Sequence, residues 1–127
     1  MKQPTRRTSK PVEKKTTDEQ VKLYLTINPL LKSAFDEVKE FSKKKQDEEL
    51  NIKKVKMINR LLEKAKEILK DEPTVDYLEL LDEDELPTNS DAVLTMSQFI
   101  SAMNKFHDDH YHYENNMLSW DNDGHWK

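Results

Sequence analysis

The 127 residues contain no cysteine and a single glycine. The first absence excludes a disulfide framework or a thiolate metal site and fits a reducing compartment. The second excludes a glycine-rich phosphate loop, which needs several residues that let backbone approach a ligand closely. Apolar residues are scarce, at 35% against 36% charged, and aromatics make up 8%. A monomeric core drawn from so thin a supply is small, and small cores are commonly supplemented by association. No apolar run approaches the roughly 20 residues that a membrane span requires. The basic beginning of the chain lacks the apolar stretch of a signal peptide. A cytosolic protein is expected. No nucleophile–base pair is legible either, so neither catalysis nor a cofactor is expected.

Charge is plentiful but unevenly placed. Residues 1–70 hold 19 Lys/Arg and 11 Asp/Glu, whereas residues 71–127 hold 2 and 14, so a net charge of −4 conceals a basic half and an acidic half. Such asymmetry suggests one end that meets a polyanion and another with a separate task. Residues 1–19 carry Arg6 and Arg7 among Thr, Ser and Pro without apolar periodicity, and are expected to form a flexible basic arm.

The stretch from Gln20 to Leu69 carries the strongest pattern. Val21-Lys22-Leu23-Tyr24-Leu25-Thr26-Ile27 alternates apolar and polar residues, the period of a half-buried strand. Asn28-Pro29 is expected to end it, and Leu30, Leu31, Ala34, Phe35, Val38 and Phe41 then mark one face of a helix. After a charged connector, Ile52, Val55, Ile58, Leu61, Leu62, Ala65, Ile68 and Leu69 mark a second helix, with Asn51 or Asp47 as its cap. Among the basic residues of that helix, Lys56, Arg60 and Lys64 read as a solvated face. A lone strand leaves backbone donors and acceptors unpaired, and the simplest mate is the same strand of a second copy.

Strand, helix, helix in that order resembles the ribbon-helix-helix family of dimeric DNA-binding repressors, over residues 20–70. The resemblance implies a mainly α fold: a homodimer with a paired N-terminal ribbon, followed by an acidic helical region. It implies base contacts from Lys22, Tyr24 and Thr26 in the major groove. It also implies backbone contacts from Asn51, Lys53 and Lys54 at the start of the second helix, supplemented by Arg6 and Arg7 of the arm. The function it suggests is a transcriptional repressor or plasmid-partition adaptor acting on double-stranded DNA. An antitoxin or a relaxosome accessory protein would share the DNA domain and differ in partner.

The acidic half, residues 71–106, is expected to hold a short helix over Val75–Leu81, a turn-rich break, and a helix from Asp91 or Thr95 to Phe106. Its stripe of Met96, Phe99, Ile100, Met103 and Phe106 reads as core or as a protein-partner face, and Phe99, Met103 and Phe106 are taken as partner anchors. Residues 107–127 are expected to be a flexible tail whose Trp120 and Trp126 anchor the same partner. His107, Asp108, His110 and His112 match no established metal spacing, and no metal is expected.

Overall fold

The structure, a computed structural model, describes residues 16–114 and 117–121. Three helices carry it: α1 (Asp18–Lys45), α2 (Ile52–Ile68) and α3 (Asn89–His110). A 3-10 helical turn (Pro73–Tyr77) follows α2, and a hairpin of β1 (Tyr111–Glu114) and β2 (Met117–Trp120) follows α3. The hairpin pairs antiparallel, with Tyr111 opposite Trp120 and Glu114 opposite Met117. Helix α1 lies between the other two, and most helix–helix contact is α1 with α2 and α1 with α3.

The expected strand is not there. Val21–Ile27 lies inside α1, so the ribbon-helix-helix fold is overturned. The cause is local. Thr17 and Gln20 form a capping box, with Gln20 N–H donating to Thr17 Oγ1 at 3.1 Å and Thr17 N–H donating to Gln20 Oε1 at 2.9 Å. A box of this kind satisfies two of the free donors at a helix start and fixes where winding begins. From there Val21, Tyr24, Ile27, Leu31 and Val38 are buried at spacings of three and four, a helical stripe that continues through the alternating run. Leu25, which the alternation assigned to the apolar face, is 58% exposed, while Tyr24, assigned to solvent, is 6% exposed. Pro29 does not end a strand but sits inside α1. Its missing N–H removes the hydrogen bond to the Leu25 carbonyl, and the exposure of that turn lets water serve the freed oxygen.

Helix α2 follows its expected course. Asn51 caps it by accepting from Lys54 N–H at 2.9 Å, which decides between the two candidate caps. Val55, Ile58, Leu62, Ala65 and Ile68 are buried along its inner face. Gln20 Nε2 donates to the Ile68 carbonyl at 3.0 Å, tying the start of α1 to the end of α2 and fixing the two as antiparallel. Helix α3 begins at the Thr88 cap, earlier than expected, because Thr88 Oγ1 accepts from Asp91 N–H at 3.1 Å. One core cluster draws on all three helices and the hairpin, from Val21 to Trp120, with Phe99, Met103 and Phe106 fully buried. The expected boundary at residue 70 is therefore crossed by packed side chains.

Between the 3-10 turn and α3 the chain runs as a strap, residues 78–87, extended at first and bent at residues 83–85, where Asp82 Oδ1 accepts from Asp84 N–H at 2.8 Å and Glu85 N–H at 2.9 Å; a helix over Val75–Leu81 was expected. Asn59 on α2 holds it: Nδ2 donates to the Leu81 carbonyl at 2.9 Å and Oδ1 accepts from Leu81 N–H at 2.9 Å. The buried amide thus replaces the pairing that an extended segment needs. Lys66 Nζ donates to the Leu78 carbonyl at 3.1 Å, and Leu50 N–H donates to the Pro87 carbonyl at 2.9 Å. The strap accordingly runs antiparallel along the whole of α2, from its last turn to its cap.

Candidate functional site: the outer face of α2 and the carboxylate–histidine clamp

The expected base-reading triad is dispersed by the helix. Lys22 and Thr26 are exposed on α1, and the Thr26 hydroxyl donates to the Lys22 carbonyl at 3.0 Å. Tyr24 points the other way. Its ring lies 5.6 Å from that of Phe106 and 5.2 Å from that of Trp120, edge to face with the indole. Burial pushes its phenol pKa up, and the charge of Asp108 adds to this. No strand face presents the three together, so their assignment as base contacts is withdrawn.

The expected partner anchors are also accounted for. Phe99, Met103 and Phe106 are fully buried and Trp120 is 6% exposed, so these side chains fill the core rather than meet another protein. The tail supplies β1 and β2 in place of the flexible segment expected there. Arg6, Arg7 and Trp126 lie outside the described residues.

Of the expected backbone contacts, Asn51 is exposed but its side-chain oxygen is engaged in capping. Lys54 folds back, its ammonium 4.1 Å from the centroid of the Phe41 ring, a cation–π contact. Lys53 is exposed. It begins a row that continues through Lys56, Arg60 and Lys64, all exposed, around Met57, which is 57% exposed. Steps of three and four keep these residues on one side of a helix. Of these four cations only Lys64 has an ion-pair partner among the described residues, Glu67 at 3.5 Å; Lys53, Lys56 and Arg60 have none. The first turn of α2 contains no acidic residue. Three of the row's four cations thus make no ion pair among the described residues, unlike a helix face laced with i,i+3 and i,i+4 pairs of opposite sign.

A second cluster was not anticipated. His110, at the end of α3, is 8% exposed and lies between two carboxylates. Nδ1 is 2.8 Å from Asp121 Oδ2 and Nε2 is 3.0 Å from Glu72 Oε2. Thr16 donates to the other oxygen of Asp121 from its hydroxyl at 3.1 Å and its N–H at 3.4 Å. Asp121 N–H in turn donates to the His110 carbonyl at 2.8 Å. Burial pulls the imidazole pKa down, but hydrogen bonds to Glu72 and Asp121 and their charges more than reverse this, raising it from 6.5 to about 9. At neutral pH His110 is an imidazolium donating from both nitrogens. It has no lone pair with which to act as a general base. The group is a clamp joining four segments: Thr16 just ahead of the α1 cap, the loop after α2, the end of α3 and the residue after β2. The histidine-rich tract drew notice in the sequence, yet its partners lie 38 and 11 positions away, beyond any local pattern. His112 Nε2 stands 3.9 Å from Asp121 Oδ2 at the exposed edge. Among the described residues no group of three or more His, Asp or Glu is placed to hold a metal ion.

A groove of about 370 Å³ runs between the 3-10 turn and α3, bordered by Tyr77, Ser97, Ser101 and Lys105. The Lys105 ammonium is taken by Asp109 at 2.8 Å, and this hydrogen bond raises its pKa. The Ser97 hydroxyl donates to the Leu94 carbonyl at 2.8 Å. Neither is poised to act on a ligand in the groove. No helix is long and apolar enough to cross a membrane among the described residues. No protein-family model matches the chain, and no curated protein or solved structure is significantly similar to it.

Proposed function

We infer that the chain is a non-catalytic binding module that engages a nucleic-acid backbone through the outer face of α2. The observation that carries this is the row Lys53, Lys56, Arg60 and Lys64, exposed on one side of α2, with three of the four cations unpaired. An α-helix fits the major groove of a duplex, and a row of cations along it neutralises successive phosphates. Helix α2 spans 17 residues, about 25 Å at 1.5 Å per residue, and so reaches several phosphates on one groove wall.

This is backbone binding, and sequence readout by α1 forms no part of it. The need for a second copy to pair a lone strand also goes, since the strand is absent. Titration of a labelled duplex with the full chain tests the proposal. If the row neutralises three or four phosphates, affinity falls about 40- to 150-fold between 50 and 200 mM salt, from a slope of about −0.9 per phosphate. Binding that is absent at low salt, or insensitive to salt, removes it.

A further inference from the structure

The cations of α2 lie beside strap carboxylates that make no ion pair with them. The strap is anchored to α2 at three heights: Leu78 at Lys66, Leu81 at Asn59 and Pro87 at Leu50. Its Glu79, Asp82, Asp84 and Glu85 are exposed. Glu79 falls between the Lys66 and Asn59 anchors, the stretch of α2 that holds Lys64, and the Asp82–Glu85 turn falls between the Asn59 and Leu50 anchors, the stretch that holds Lys53 and Lys56. No ion pair joins strap to helix among these residues; Glu83, exposed like its neighbours, accepts from Asn59 Nδ2 at 3.1 Å. The face therefore presents two parallel rows of opposite sign, with exposed Met57 on the basic side and Leu80 on the acidic side.

Two parallel rows of this kind have a definite symmetry. Rotation by 180° about an axis lying in the face and parallel to α2 exchanges left and right but preserves height. The basic row of one copy then meets the acidic row of the other, twice over, at matching levels. Rotation about an in-plane axis across α2 sets like charges together. We propose that this face binds a second copy of the chain as an isologous dimer with the two α2 helices parallel. The occupant is singled out by charge: a partner must carry an acidic and a basic row at the same separation, and this face satisfies that condition by itself. Exposed ion pairs contribute little each, so the association is weak and strongly screened by salt. It stands apart from the nucleic-acid proposal, although both use the cations of α2, and a duplex competes with the second copy for them.

Sedimentation velocity of the full chain with two charge-reversal variants tests it. Lys53→Glu/Lys56→Glu/Arg60→Glu makes both rows acidic, and Glu79→Lys/Asp84→Lys/Glu85→Lys makes both basic; Asp82 and Glu83 are spared because they make internal hydrogen bonds. The wild type should dimerise at low salt and dissociate near 1 M, where the screening length is about 3 Å. Each variant alone should be monomeric with helix content retained by circular dichroism, and an equimolar mixture should restore the dimer. A wild type that stays monomeric at low salt up to roughly 100 μM overturns the proposal. So does a dimer that survives in either variant, or a mixture of folded variants that does not pair. The strap variant keeps every cation of α2, so loss of its dimer with duplex binding intact separates the two proposals.

Discussion

At the scale of single residues, His110 ties the stability of the fold to pH. Its pKa is raised on folding, so the clamp contributes fully below the ordinary value of 6.5 and is lost as pH rises through about 9. Chemical denaturation of wild type and His110→Gln across this range checks the sign. Glutamine leaves two carboxylates close together with one neutral donor set, and the variant should lose about 2–3 kcal/mol at pH 7. The difference should shrink towards about pH 10, where wild-type His110 is itself neutral. A gap that stays constant with pH would assign the loss to packing against Phe106, whose ring lies 5.0 Å away, and not to charge. Asn59 is a second decisive residue. Asn59→Leu keeps the branched outline of the side chain but strands the N–H and carbonyl of buried Leu81, and denaturation should show a loss of about 1–3 kcal/mol.

At the scale of elements, α1 shows why part of the fold was legible and part was not. Seven residues of V-K-L-Y-L-T-I satisfy a period of two and, through Val21, Tyr24 and Ile27, a period of three to four as well. Short runs cannot separate the two. The deciding signal lay upstream in Thr17 and Gln20, whose capping-box spacing marks a helix start three residues before the alternation. Pro29 misled in the other direction, since proline is normally an end and here is tolerated inside a helix. Asn51 and the apolar stripe of α2 were readable because a clear cap and a 17-residue amphipathic pattern agree. The hairpin and the clamp were not, because a four-residue strand carries little pattern and the clamp pairs residues brought together only by tertiary packing. The basic row was visible in sequence; its lack of counter-charges needed coordinates. One element-scale prediction follows from the proline. Pro29→Ala restores the N–H facing the Leu25 carbonyl and should stabilise the chain by about 1–3 kcal/mol, raising its thermal midpoint. A lower midpoint would show that α1 gains nothing from the restored N–H and depends on the proline ring at that turn.

At the scale of the whole molecule, α1 is flanked by two helices, and a charged strap tied by Asn59, Lys66 and Leu50 runs along one flank of α2, beside its exposed basic row. The inner faces are occupied by the core and the clamp fixes the hairpin end, so the outer faces carry the interactions open to a partner. The proposed self-association, resting on opposite charges, would be sensitive to salt and to competing polyanions. Binding of a labelled duplex at low salt by the full chain and by Lys53→Glu/Lys56→Glu/Arg60→Glu, both checked for unchanged helix content, tests the central claim most directly. Loss of three phosphate contacts should weaken the variant at least about 100-fold. Equal affinity of variant and wild type would contradict the account.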